Sequence, residues 1–310
     1  MKKLIVILLA ALMAITLLTL TACDNKNKIS ETEITGNENN PGESDNNQPD
    51  KDFDMYGGFI YNTSLTGGNI DDVVLEPGDT YAIISIRGFG DITVKLFPES
   101  APVAVINFIN LAENGYYDGK NFHRIMQNFM IQGGSPFGDG TSDPDGHTFG
   151  VERSFNARHF YGALSMANSM GQNSQQFFIV NDKRLNDPTL FDIDNLYDTI
   201  TEGYDFLEGG VDEWGNPFDA FDIAYILHQL DLYKGYLAFR ENLTNEIFEK
   251  YQNGGAFYLD GAFTVFGHTV DGFDVLDAVS DVEVTDNDEE ELSTPVVDVI
   301  IESVRIFTQE

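Results

Sequence analysis

The stretch that decides the fold runs from Asn121 to Gly134, N-F-H-R-I-M-Q-N-F-M-I-Q-G-G, and is followed by Gly138, Asp139, Gly140 and Thr141. Two further blocks come after it in order: Gly162 to Ile179, G-A-L-S-M-A-N-S-M-G-Q-N-S-Q-Q-F-F-I, and Leu259 to Gly267, L-D-G-A-F-T-V-F-G. Upstream, Tyr81 to Ile86 and Asp91 to Phe97 are β-rich runs separated by Gly88, Phe89 and Gly90, which predicts a hairpin. Ser100 is placed to cap a helix with Pro102 near its first turn, an apolar stripe of Val105, Phe108, Ile109 and Ala112, and Gly115 at its end. Near the C-terminus, Val297, Val299 and Ile301 alternate in part with Asp298 and Glu302, so the chain returns to strand. A mainly β domain with a few helices follows. Between the second and third blocks the pattern changes. Ile223, Ile226, Leu230 and Tyr233, then Leu243, Ile247 and Tyr251, recur at helical spacing, which predicts a helical insertion over 186–255.

The first residues point to a compartment. Lys2 and Lys3 precede an uncharged apolar run from Leu4 to Leu20, the pattern of a signal peptide over 1–22. The run leads through Thr21 and Ala22 into Cys23, the single cysteine of the chain. That exit resembles the lipobox of bacterial lipoproteins, which implies cleavage before Cys23 and its acylation, palmitate being among the expected acyl groups. The competing reading is an uncleaved membrane-spanning start, since the apolar run lies at the lower edge of what crosses a bilayer. No cysteine is left for a disulfide. From Asp24 to Asp52 only Ile29 and Ile34 are apolar, too little to offset the entropy of ordering, so 23–52 reads as a lipid-anchored disordered tether. Residues 53–310 then form the folded domain, interrupted by the insertion, on the extracytoplasmic face of a cell membrane. With 51 acidic against 17 basic residues and a net charge of −34, the chain repels phosphate at long range, so nucleic acid is not expected as a partner.

Taken together, the three ordered blocks resemble the cyclophilins, over about 80–185 and 256–309. The resemblance implies a closed eight-stranded antiparallel β-barrel capped by helices, with a peptide groove on its outer face. It places Arg124, Phe129, Met130, Gln132, Ala167, Asn168, Gln176, Phe178 and Leu259 along that groove and Phe263 at its rim, with Phe122 and His123 beneath. The activity implied is peptidyl-prolyl cis-trans isomerisation, without cofactor or metal. The partners implied are proline-containing peptides and unfolded exported proteins, bound by a monomer. Two departures stand out: Tyr258 replaces the family's usual tryptophan before Leu-Asp-Gly, and Phe263 stands where a histidine is often found. The first puts binding of cyclosporin-like inhibitors in doubt. The insertion enters just before Tyr258, so it is expected to overhang the groove and restrict substrates.

The chemistry can be argued from the reaction itself. Rotation about a peptide bond meets a resonance barrier of roughly 18 to 20 kcal/mol, and uncatalysed X-Pro exchange takes tens to hundreds of seconds. In the twisted transition state the prolyl nitrogen regains a lone pair, so a fixed cationic donor binds that state better than either planar isomer. Arg124 is the candidate donor, with Gln132 holding its fork. Phe129, Met130, Phe178 and Leu259 would hold the proline ring and Asn168 the backbone before it. The duller reading of Arg124 is a surface ion pair in an acidic chain. Alternation on a strand sends Phe177 to the core and Phe178 to the pocket. Rotation transfers no proton, so His123 reads as structural.

Other chemistries have little support. The five histidines show no H-E-x-x-H spacing, and the acidic run Asp286 to Glu291 lacks an EF-hand glycine and reads as a solvated loop. No G-x-S-x-G elbow or G-x-x-x-x-G-K loop occurs. The competing function is a non-catalytic proline-peptide-binding chaperone or adaptor lipoprotein that keeps the groove.

Overall fold

The computed structural model describes residues 74–141, 146–188, 193–212, 214–287 and 291–310. The signal peptide, Cys23 and the tether lie outside the described residues. The first hairpin is as expected: β1 (Thr80–Ile86) and β2 (Gly90–Leu96) pair antiparallel, and Gly88 takes a positive φ of 79° in the turn. Every second residue of these strands, Ala82, Ile84 and Ile86 with Ile92, Val94 and Leu96, is buried, the period-two signature of a sheet with one face on a core.

The remaining strands are β3 (Phe122–Met126), β4 (Met130–Gly133), β5 (Phe149–Gly150), β6 (Ala163–Ser169), β7 (Gln172–Val180), β8 (Thr264–Asp271), β9 (Val284–Asp286), β10 (Leu292–Pro295) and β11 (Ile301–Thr308). The main sheet runs β11-β1-β2-β8-β6-β7-β4-β3, antiparallel throughout, with β5 on β7. The closed barrel expected from the resemblance is modified in one respect. β3 and β11 share no ladder. Their approach is stitched by an Asn121–Ile300 bridge and by backbone bonds from Gly119 to Ile301, Phe122 to Val299 and Ile301 to Lys120. The strand expected from Val297 accordingly begins later, at Ile301, because 299–301 is spent on this seam.

Helix α1 (Pro102–Glu113) seats Ala104, Val105, Phe108 and Ala112 on the barrel interior. Its expected Ser100 cap is replaced. Ala101 is the cap residue and has no side-chain acceptor, and the Glu152 carboxylate instead accepts from Val103 N at 3.0 Å and Ala104 N at 2.8 Å. A carboxylate there also meets the positive end of the helix dipole.

Three helices occupy the predicted insertion: α2 (Ile193–Gly209), α3 (Ala220–Glu241) and α4 (Asn245–Tyr251); α5 (Phe273–Ser280) follows later. α3 is capped by Asp219 and Asp222 acting reciprocally. Its C-terminal half, including Leu230, Tyr233 and Tyr236, is buried, whereas Phe221, Ile223 and Leu227 near its start are exposed. Leu243 falls in the link between α3 and α4. The insertion is joined closely to the barrel. A Cβ on Gly235 would stand 2.3 Å from the Gly261 carbonyl, so the α3 backbone rests directly on the segment carrying Leu259 and Phe263. No described helix is long and apolar enough to cross a membrane.

Candidate active site

Strands β4, β6 and β7 are mostly buried on both faces, so polar side chains such as Ser165, Asn173 and Gln175 are enclosed along with the apolar ones. Phe177 lies fully buried in the barrel core with Phe108, Phe122 and Phe266, while its neighbour Phe178 belongs to a second apolar cluster. That cluster contains Met130, Phe178 and Leu259, with Phe129, Ala167, Tyr258 and Phe263 packed on it. Six groove positions expected from the sequence therefore meet at one place: Phe129, Met130, Ala167, Phe178, Leu259 and Phe263. Tyr258 takes the tryptophan's position, its ring 6.0 Å from that of Phe129. Burial pushes its hydroxyl pKa up to about 12, so it stays protonated.

Arg124 borders this cluster from β3. Its guanidinium carbon is 5.6 Å from the centre of the Phe129 ring. Nη1 faces Gln132 Oε1 at 3.4 Å and Met130 Sδ at 3.9 Å, and Nη2 donates to Met126 Sδ at 3.2 Å. Gln132 donates in turn to Gln176 Oε1 at 3.1 Å, and Gln176 to the Gly140 and Thr141 carbonyls. The expected Arg124–Gln132 contact is present but long for a hydrogen bond.

The strongest partner of Arg124 was not expected. Nε and Nη2 donate to the two carboxylate oxygens of Glu291 at 2.7 and 2.9 Å, and the two side chains are only 11% and 8% exposed. The solvated-loop reading of Asp286 to Glu291 is therefore wrong for Glu291, which folds inward from the start of β10. The ion-pair reading of Arg124 is half right: the pair exists, and it is buried.

Asn168 departs from its expected use. Its amide donates to the Ala262 carbonyl at 3.1 Å and accepts from Gly171 N at 3.3 Å, so the side chain braces the turn between β6 and β7. Asn181, unflagged in the sequence, accepts from Phe129 N at 2.7 Å and donates to the Met126 carbonyl and Ser280 Oγ, tying down the turn that presents Phe129. Asn128 occupies the left-handed region in that turn, φ 56°, where asparagine is among the few side chains tolerated. His123 lies beneath: burial first, then the Arg124 charge, lowers its pKa to about 4, so the imidazole is neutral.

Under Phe178 and Phe263 lies a second polar group. The His159 ring stacks on Phe178 at 5.9 Å and meets Phe263 edge-on at 6.4 Å. His159 Nδ1 and Nε2 contact Asp260 Oδ1 at 3.0 Å and Ser165 Oγ at 3.1 Å. The order serine, histidine, aspartate matches a hydrolytic triad, but all three residues are buried and Ser165 Oγ donates to the Thr264 carbonyl. A nucleophile sealed from solvent and already committed serves packing. Asp260 also takes Arg158 Nη1 at 3.1 Å and the Tyr251 hydroxyl of α4. Burial pushes its carboxyl pKa up, yet the His159 hydrogen bond and the Arg158 charge outweigh burial and hold it below the ordinary value. Among the described residues, no group of three His, Cys, Asp or Glu side chains is arranged to hold a metal.

An apolar cluster of aromatic and thioether side chains separate from the barrel core, with a guanidinium fixed at its edge, fits a peptide-binding isomerase of the cyclophilin class. The chain belongs to the family of cyclophilin type peptidyl-prolyl cis-trans isomerases, whose sequence profile matches residues 81–213 and 248–306. The unmatched stretch between them lies within 186–255 and contains all of α3. Curated relatives whose names place them among the peptidyl-prolyl cis-trans isomerases include one from Staphylococcus aureus (strain COL), 36% identical over 220 residues, covering 70% of this chain and 87% of the relative. Another, from Staphylococcus epidermidis, is 34% identical over 221 residues with the same coverage. A solved Cryptosporidium parvum cyclophilin type isomerase, crystallised in the presence of the dipeptide Ala-Pro, is similar at 21% identity and a TM-score of 0.42, covering 74% of this chain and 99% of that one. The family membership rests on the sequence relatives, and this chain is a peptidyl-prolyl cis-trans isomerase.

Proposed function

We propose that Arg124, Phe129 and Gln132 are the catalytic residues of this isomerase, with Met130, Ala167, Asn168, Gln176, Phe178, Leu259 and Phe263 as its peptide-binding surface. One observation carries the reading: residues distant in sequence converge on one apolar cluster, and the Arg124 guanidinium sits against its Phe129 and Met130. A proline ring in that cleft would bring its nitrogen beside Nη1, the corner of the guanidinium left to Gln132 and Met130. As the amide twists and the nitrogen regains its lone pair, the charged donor stabilises it more than it does either planar isomer. Asn168 would contribute through its backbone, its amide being committed. The reaction needs no proton transfer and no cofactor. Exchange spectroscopy on an Ala-Pro peptide with the full chain tests the reading, which expects exchange well above the uncatalysed rate. Peptide binding without acceleration would favour the chaperone or adaptor.

The substrates in this reading are proline-containing segments of unfolded exported proteins, bound by a monomer held at the extracytoplasmic face of the membrane through a lipid on Cys23. The N-terminal sequence supports it: a basic start, an apolar run and a small-residue exit to the single cysteine. Cys23→Ser is expected to move the chain from the membrane fraction to the soluble one and to abolish labelling by a palmitate analogue. Unchanged labelling would overturn the anchor.

A further inference from the structure

We infer that Glu291 is a positioning residue for the isomerisation, acting through Arg124; the inference rests on the reading of Arg124 as the transition-state donor. An arginine side chain has several rotatable bonds and much rotamer entropy to lose, so a catalytic guanidinium must be held by strong partners to act as a preorganised donor. Among the described barrel residues, Arg124 receives only weak ones: Gln132 Oε1 at 3.4 Å and the sulfurs of Met126 and Met130 at 3.2 and 3.9 Å. The two short contacts, 2.7 and 2.9 Å, both come from Glu291.

The geometry gives those contacts a direction. Glu291 takes the Nε–Nη2 edge in the parallel two-bond arrangement that fixes the plane of a guanidinium. The remaining corner, Nη1, is left beside Met130 and Gln132, at the proline cleft. A carboxylate on the Nη1 side would compete with substrate, whereas one on the opposite edge sets the angle at which Nη1 is offered. Glu291 is itself held. Its backbone N donates to Asn287 Oδ1 at 2.9 Å, its carbonyl accepts from Asn287 N at 2.8 Å, and β10 pairs with β9 while packing along β3, the strand that carries Arg124. The β9–β10 hairpin thus works as a brace spanning 167 residues of sequence.

The test compares the full-length wild type with Glu291→Ala, Glu291→Gln and Arg124→Ala, reading kcat and KM on an Ala-Pro peptide and following the Arg124 Nε–H resonance by NMR. Glu291→Ala is expected to lower kcat on the order of tenfold, to leave KM within about twofold, and to lose the protected Nε–H signal. Glu291→Gln, which keeps one acceptor oxygen, is expected to recover activity to within about threefold of wild type. Should Glu291→Ala fail to fold, judged by its thermal transition, Glu291→Gln and its Nε–H signal decide. A rise in kcat for Glu291→Ala would make the carboxylate an inhibitor of Arg124, and unchanged kinetics would give it no role. Either outcome overturns the inference while an inactive Arg124→Ala leaves the catalytic reading standing. An Arg124→Ala variant as active as wild type would sink both.

Discussion

Arg124, part-buried, and Arg158, buried, each face a carboxylate, and the difference between them separates function from structure in this molecule. Arg158, 2% exposed, has donors on every side committed to oxygen: Nε to the Phe155 carbonyl, Nη1 to Asp260, and Nη2 to the Phe239 and Asn242 carbonyls. Three of those partners come from the end of α3 or the Asp260 segment, so the guanidinium rivets the inserted helices to the barrel. Arg124 has one edge committed to Glu291 and one corner left among sulfurs and a distant amide oxygen at the mouth of the cleft. Ion pairing is common to both. What distinguishes a donor available for chemistry is a corner left uncommitted by the partners that immobilise the rest.

The most destructive way to break the comparison is to remove the carboxylate that closes the Arg158 network. Asp260→Ala would strand a buried guanidinium together with the Tyr251 hydroxyl and His159. The expected loss is about 3–5 kcal/mol of unfolding free energy in urea titration, the range for orphaning one member of a buried pair. A loss below about 1 kcal/mol, the scale of an exposed pair, would mean the network is solvated.

A smaller effect sharpens the Arg124 side. His123 has a folded pKa of about 4 against an ordinary 6.5. Between those values the unfolded chain takes up a proton that the folded chain refuses. Stability is therefore fully present above pH 6.5, falls as pH drops towards 4, and levels below it, the loss being at most about 3 kcal/mol. Since the Arg124 charge is the second cause of that depression, after burial, Arg124→Ala is expected to raise the His123 pKa and flatten the slope of unfolding free energy between pH 4 and 6.5. An unchanged slope would show that burial alone sets it.

Much of the groove was legible in the sequence because its residues sit in short blocks whose resemblance to the cyclophilins places them along it. The resemblance placed Phe178 along the groove and strand alternation then sent its neighbour Phe177 to the interior; the two do fall in separate apolar clusters. The first hairpin and the helical character of the insertion were readable from period and turn residues. Illegible were the partnerships made by isolated charges across long separations. Glu291 stands after Asp288, Glu289 and Glu290 in a run that reads in sequence like any solvated acidic loop, and nothing local marks Glu291 as turned inward. Glu152 caps a helix that starts 50 residues before it, where Ser100 offered the ordinary local signal. Arg158 and His159 carry no motif, and their roles arise only once α3, α4 and the Asp260 segment have packed around them. The barrel seam escaped notice because backbone bonds leave no mark on side-chain pattern.

The central claim is that Arg124 donates to the prolyl nitrogen as the amide twists. Comparing kcat/KM of wild type and Arg124→Ala on an Ala-Pro peptide tests it most directly. A fall on the order of 10²–10³-fold, the cost of removing one preorganised transition-state donor, is the predicted result, with the thermal transition of the variant still cooperative. Equal rates in the two proteins, both well above uncatalysed exchange, would contradict the claim.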